Sequence, residues 1–140
     1  MNAGPITPDA LGQGSTFVKA MGLTLVDIAG DRVTGVLDLG PDQHTPWGVV
    51  HGGVYASVAE SVASIGASVA VGDKGMFAVG LHNGTDFLRS TTTGRLDVVG
   101  VPIQQGRTQQ LWLVTMTRED GKEVARGQVR LQNVPLPSRG

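Results

Sequence analysis

Between His51 and Asp73 the chain carries one charge, Glu60, set among Ser57, Ser61, Ser64 and Ser68. A carboxylate in that company can attack an electrophilic carbon or take a proton from water. A stripe that merely faces water is usually dense in Lys, Glu and Arg, so a lone acid among serines points to a partly buried face that meets something. Just upstream, Trp47-Gly48-Val49-Val50-His51-Gly52-Gly53-Val54-Tyr55 runs into helical periodicity with no Ser, Thr, Asp or Asn at the first turn. The expectation is a helix start with open N–H groups, where glycine removes the Cβ that would block a ligand. Such a start can hold an anion or a developing oxyanion. A tight loop-to-helix turn would use the same glycines.

Gly52 and Glu60 are eight residues apart, which is about 12 Å along one helix at ~1.5 Å per residue. They cannot both touch one carbonyl group from the same subunit. If they cooperate, each comes from a different chain, with two helices packed antiparallel and the site present twice per symmetric dimer.

The elements that must position these groups follow from periodicity. Val54, Val58, Val62, Ile65 and Val69 recur at helical spacing and make one apolar face, with Glu60 and the four serines on a separate stripe. The helix is rich in Ala, Gly and Ser, so other backbone can approach it closely, and Asp73-Lys74-Gly75 ends it. Before it, Ser15 caps a short helix, Thr16 to Met21, closed by Gly22. Leu23 to Ala29 and Val33 to Leu39 read as a hairpin about Gly30-Asp31. After it come strands at Met76 to Leu81, Thr85 to Leu88, Arg95 to Gln104, Gln109 to Thr117 and Glu123 to Gln132. His82 falls in a turn between the first two of these. One antiparallel sheet wrapped around one long helix satisfies that order, an α+β class. Residues 1–14, rich in Gly and Pro, read as a poorly ordered lead-in, and residues 15–140 as a single domain.

Composition narrows the chemistry. The 140 residues hold no cysteine, which excludes thiol nucleophiles, disulfides and cysteine metal sites. Eleven Lys and Arg against twelve Asp and Glu leave a net charge of -1, without the basic surplus of a nucleic-acid binder. No His, Asp and Glu spacing resembles a metal site. No basic N-terminal region precedes an apolar run, and Val54 to Val71 is broken by Glu60 and the serines. The expectation is a soluble, cytoplasmic protein without a membrane span. Twenty-one glycines are well above the usual share of ~7%.

The stretch from Trp47 to Tyr55, with Glu60 and Ser64 following, resembles the hotdog-fold thioesterases. It looks most like the branch of phenylacetate-pathway thioesterases and the 4-hydroxybenzoyl-CoA thioesterase that carries its glutamate on the central helix. The resemblance spans most of Leu23 to Asn133 and implies five to six antiparallel strands around the long helix. It implies that the Gly52 N–H polarises a thioester carbonyl, with Gly53 beside it. Glu60 would attack that carbonyl or activate water, Ser64 would help hold the water, and His51 matches the loop histidine. Asn83 would lie near the acyl group. Arg89, and the pair Arg107-Thr108, would contact coenzyme A phosphate, a role suited to a permanent fork-shaped donor.

One position departs from the pattern. Six residues before the histidine, relatives commonly carry Gln or Asn to orient the carbonyl or the water, and this chain has Thr45. Gln43 or His44 fills the role, or Thr45 does, or turnover is slow. The resemblance implies an acyl-CoA thioesterase acting as a homodimer or dimer of dimers, with coenzyme A as part of the substrate and no separate cofactor. Two other readings stand beside it. A hotdog hydratase or dehydratase would need a catalytic His, and Ser61 to Ser64 include none. A non-catalytic acyl-CoA binding dimer would accommodate Thr45. Trp47, Tyr55, Phe77 and Phe87 are the candidate aromatic walls of an acyl pocket.

Overall fold

The computed structural model describes residues 15–137, so the lead-in expected over residues 1–14, and the last three residues, lie outside it. Ser15 caps α1 (Thr16–Met21) by accepting from the Val18 N–H at 3.2 Å, and Gly22 closes it at φ 85°. The hairpin β1 (Leu23–Ala29) and β2 (Arg32–Leu39) follows, then a single 3-10 turn and an ordered loop. The long helix α2 (Gly52–Val71) leads through a second 3-10 turn to Gly75 at φ 71°. Four strands complete the chain: β3 (Met76–Phe87), β4 (Gly94–Gln105), β5 (Gln109–Thr117) and β6 (Glu123–Pro135). All pairings are antiparallel, in the order β1-β2-β4-β5-β6-β3. The sheet wraps α2, which is the hotdog arrangement.

The inner face of the sheet obeys the two-residue period of a strand. Leu96 and Val98, then Trp112, Val114 and Met116, then Val129 and Leu131 are all buried beneath α2. The helix meets them through part of the expected face, Val58 and Val62, widened by small residues, with Val54 and Ile65 packed at its margin. Its buried residues are Tyr55, Val58, Ala59, Val62, Ala63, Gly66, Ala67 and Val71, while Val54, Ile65 and Val69 are only half-buried. Small residues win because they allow a closer approach. A Cβ on Gly66 would stand 2.4 Å from the Trp112 ring, one on Gly100 2.6 Å from Val62, and one on Gly127 2.9 Å from Ala59. Three of the glycines, Gly66, Gly100 and Gly127, thus seat the helix on its own sheet. By length and hydropathy, Gly52–Lys74 is apolar enough to cross a membrane. Here it is the core helix of the domain.

Two expected boundaries change. The turn at His82-Asn83-Gly84 is absent, and β3 runs unbroken against β6 with a bulge between Gly80 and His82. The polar stripe of α2 faces β3: the Ser68 hydroxyl accepts from the Ala78 N–H at 3.0 Å, and the Glu60 carboxylate lies over Gly80. The face that meets something does so within its own chain.

Candidate active site

The helix start is not open in the expected way. His51 is the N-cap, and its Nδ1 accepts from the Gly53 N–H at 2.8 Å. A Cβ on Gly53 would stand 2.9 Å from Nδ1, so this glycine makes room for the cap. The Val54 N–H bonds back to the His51 carbonyl at 3.0 Å. The Gly52 N–H has no acceptor among the described residues. Gly52 makes room for a side chain as well as a turn: a Cβ there would stand 2.5 Å from the Phe87 ring.

Glu60 sits in a cavity of about 490 Å³ with Phe17, Ser57, Ser61, Asn83 and Thr85. Its Oε2 is buried and has no hydrogen-bond partner among the described residues. Gly80 makes this possible, since a Cβ on it would be 2.6 Å from that oxygen. Asn83 is fixed as a wall: its amide donates to the Ala56 carbonyl at 2.9 Å, and Thr85 donates to its Oδ1 at 2.6 Å. Ser64 lies one turn beyond Glu60, half-buried, and outside this lining. A smaller hollow of about 290 Å³, holding His51, Gly53 and Gln43, adjoins it through Phe17 and Ser57.

Gly52 opens on a third cavity, of about 240 Å³, on the other side of Phe87. Tyr55, Arg89 and Thr91 line it too. Burial raises the Tyr55 pKa, and the nearby Thr91 hydroxyl works against that rise. The two hydroxyls nevertheless miss hydrogen-bond geometry, and both are buried without a partner among the described residues. Gly52 and Glu60 thus face separate cavities of one protomer, as their spacing along α2 requires.

Thr45 is a loop residue whose hydroxyl accepts from the Trp47 N–H at 3.2 Å, and it lines none of these cavities. Gln43 is committed to the Gly40 N–H and the Ala20 carbonyl, both at 2.9 Å, and His44 to the Thr92 carbonyl. Arg89 donates to the Glu123 carbonyl at 2.6 Å, close to the start of α2. Arg107 and Thr108 are exposed on the β4–β5 hairpin at the opposite end, where Gln110 reaches the Ala67 carbonyl. The cavities are walled by Tyr55 and Phe87 as expected, but Trp47 points to solvent and is 85% exposed. Phe17, Thr85 and Thr91 were not expected, because only the folded chain brings them to α2. No group of three His, Asp or Glu gathers among the described residues.

The thioesterase superfamily profile matches residues 48–125 of this chain. Rv1847 of Mycobacterium tuberculosis, provisionally named an esterase, is 40% identical over 96% of this chain and 97% of its own. The solved structure of that protein covers 89% of this chain and 100% of its own, with a TM-score of 0.84. The 1,4-dihydroxy-2-naphthoyl-CoA thioesterase 2 of Arabidopsis thaliana is 33% identical over 71% of this chain and 62% of that protein. Thioesterase HI1161 of Haemophilus influenzae superposes with a TM-score of 0.86 at 25% identity, over 97% of this chain and 96% of that one.

Proposed function

This chain belongs to the thioesterase superfamily, and from that premise we propose that it hydrolyses acyl-CoA thioesters to free acid and coenzyme A as a homodimer. The observation that carries the reading is the buried, unpartnered Glu60 Oε2 beside a cavity. A buried carboxylate oxygen without a partner costs stability, and such groups gather at functional sites. The Gly52 N–H of one protomer polarises the thioester carbonyl, and Glu60 of the partner acts on its carbon.

As a general base, Glu60 takes a proton from water while the water oxygen bonds to the carbonyl carbon. The C–S bond then breaks, and the proton passes to the leaving thiolate. As a nucleophile, the carboxylate itself bonds to that carbon as the C–S bond breaks and the thiolate leaves; water then cleaves the resulting anhydride to free acid and Glu60 carboxylate, and a proton from that water goes to the thiolate. Oxygen-18 uptake into Glu60 during a single turnover in labelled water distinguishes the two routes.

The dimer is supported by β3. It is an edge of the sheet among the described strands and exposes Leu81 and Phe87. A 12-residue edge left bare is a liability, and pairing with a second copy removes it. Aligning Gly52 with the partner's Glu60 on antiparallel helices sets the partner's Ala67 seven positions beyond Gly52, about 10 Å along the axis. The partner's β4–β5 hairpin, with Arg107 and Thr108, then joins Arg89 on the side where a coenzyme A phosphate would leave. Pairs of such dimers, a cytoplasmic location and an aryl or short to medium acyl group belong to the same proposal.

Release of coenzyme A from a panel of aryl- and fatty acyl-CoAs, followed with a thiol reagent, tests it, and the cysteine-free chain adds no background. Glu60→Gln should lower kcat by about 10²–10⁴. Full activity in that variant would overturn the assignment, as would tight binding of acyl-CoA with no hydrolysis across the panel.

A further inference from the structure

The tip of the β4–β5 hairpin is not closed by its own geometry. Two-residue hairpin loops favour turns with a positive φ at one or both central residues. Neither Arg107 nor Thr108 has one. The Gly106 N–H bonds to the Gln109 carbonyl at 2.8 Å, but the Gly106 carbonyl turns inward, toward β6. Asn133, only 5% exposed, stands beneath it. Its side-chain amide donates to the Gly106 and Arg107 carbonyls, each at 3.2 Å, and its backbone N–H donates to the Thr108 carbonyl at 2.8 Å. One residue of β6 thus holds three successive carbonyls of the tip.

The core dictates which way that amide points. The Trp112 ring N–H can only donate, so Gln110 turns its oxygen to it and its nitrogen to Asn133 Oδ1. Asn133 must then present its own nitrogen to the tip. The Gln110 nitrogen also holds the Ala67 carbonyl, which registers the tip against α2. Outside this support, the Arg107 and Thr108 side chains are exposed, and Arg107 has no ion-pair partner among the described residues.

We infer that Asn133 is a positioning residue for coenzyme A recognition, aiming Arg107 and Thr108 at the phosphate of a substrate held on the partner's Gly52. The inference rests on the thioesterase reading, which supplies the phosphate and sets the hairpin beside it. A tip released from Asn133 would have to be ordered by the phosphate itself, and that cost is taken from binding. Asn133 lines none of the cavities around Gly52 and Glu60, so the loss falls on KM and not on the chemical step.

The test compares the CoA ester of the acyl group turned over fastest in the panel with its pantetheine ester, which lacks the nucleotide and every phosphate. Wild type should favour the CoA ester by about tenfold or more in kcat/KM. Arg107→Ala should remove most of that preference. Asn133→Asp matches the amide in shape but has no N–H to give, and Asn133→Ser is too short to reach the tip. Each should lower the preference by a similar factor through KM for the CoA ester, and lower it little further when added to Arg107→Ala. The preference is a ratio within one sample, so partial unfolding of a variant cancels from it. An equal fall for both esters would make Asn133 a structural residue and overturn the inference. So would an unchanged preference in both Asn133 variants where Arg107→Ala lowers it. No preference in wild type, or one that Arg107→Ala leaves intact, takes the hairpin out of coenzyme A recognition and the inference with it. Failure of wild type to hydrolyse any ester overturns the thioesterase reading instead.

Discussion

The two ends of α2 bury polar side chains in opposite ways. Near its C-terminal end every group of Gln110 is used. Its amide donates to the Ala67 carbonyl at 2.9 Å and to Asn133 at 2.8 Å, and its oxygen accepts from Trp112 at 2.9 Å and Gln105 at 3.0 Å. Asn133 in turn holds the Gly106 and Arg107 carbonyls, each at 3.2 Å. Toward the N-terminal end, Glu60, Tyr55 and Thr91 each bury an oxygen with no partner among the described residues. A satisfied network rigidifies a fold, whereas unsatisfied groups cost stability and are kept mostly at functional sites. Among the described residues, hydrogen bonding is complete at one end of the helix and incomplete at the other.

The largest effect that could break this contrast is on stability. Gln110→Leu strands the Trp112 N–H and the Asn133 amide oxygen in the interior, and should cost about 3 kcal/mol. Urea denaturation should show it as a lower midpoint with an unchanged m-value. Glu60→Gln, which deprives no protein group of a partner, should stay within about 0.5 kcal/mol of wild type or exceed it. Equal losses in the two variants would erase the distinction.

A smaller effect comes from adding one methyl at each end. Gly66→Ala presses on the Trp112 ring, which is fully buried and cannot yield, so it should cost about 1–3 kcal/mol by the same denaturation assay. Gly52→Ala presses on the Phe87 ring, which is 57% exposed and free to swing. Its stability should change by less than about 1 kcal/mol, while kcat/KM falls by about tenfold or more because the ring and the N–H are both displaced. Stability losses of the same size at both positions would count against the contrast.

The smallest effect is in alkali. Burial raises the Tyr55 pKa, so above pH about 10 the unfolded chain ionises first and stability falls as pH rises. Tyr55→Phe should lack this component. Its stability–pH curve should parallel the wild type below pH about 10 and decline less steeply above it. Parallel curves throughout would mean that the hydroxyl is not desolvated in the folded protein.

Much of this frame was readable from residue patterns. The strand–helix–strand order, the Ser15 cap, the β1–β2 hairpin and the bounds of β5 follow from alternation and turn chemistry. The packing face of α2 followed in part: Val58 and Val62 are fully buried as expected, but hydropathy weights Val54, Ile65 and Val69 above Ala59, Ala63 and Gly66, whereas close approach rewards the small residues. The helix start was misjudged because a histidine ring nitrogen is not among the usual caps. At the site, Glu60 and Gly52 stand out by isolation and by spacing. Phe17, Thr85 and Thr91 reach their positions only because α1 and the end of β3 cross α2, and nothing local in the sequence records that crossing.

The bulge between Gly80 and His82 has a consequence for how this protein can change. It gives β3 two phases of alternation: Ala78 and Gly80 turn toward the helix before it, Asn83, Thr85 and Phe87 after it. Deleting the extra residue, Leu81, would restore plain alternation with every facing kept, because the ladder to β6 would still set Asn83 opposite Val129 and Thr85 opposite Gly127. The loss would be one side chain that is half exposed. A single-codon deletion at this point is therefore one that the cavity lining can absorb, whereas the same deletion in a strand without a bulge would turn its distal half over. In an evolving lineage the bulge is spare length that protects the recognition half of β3 from a change of register.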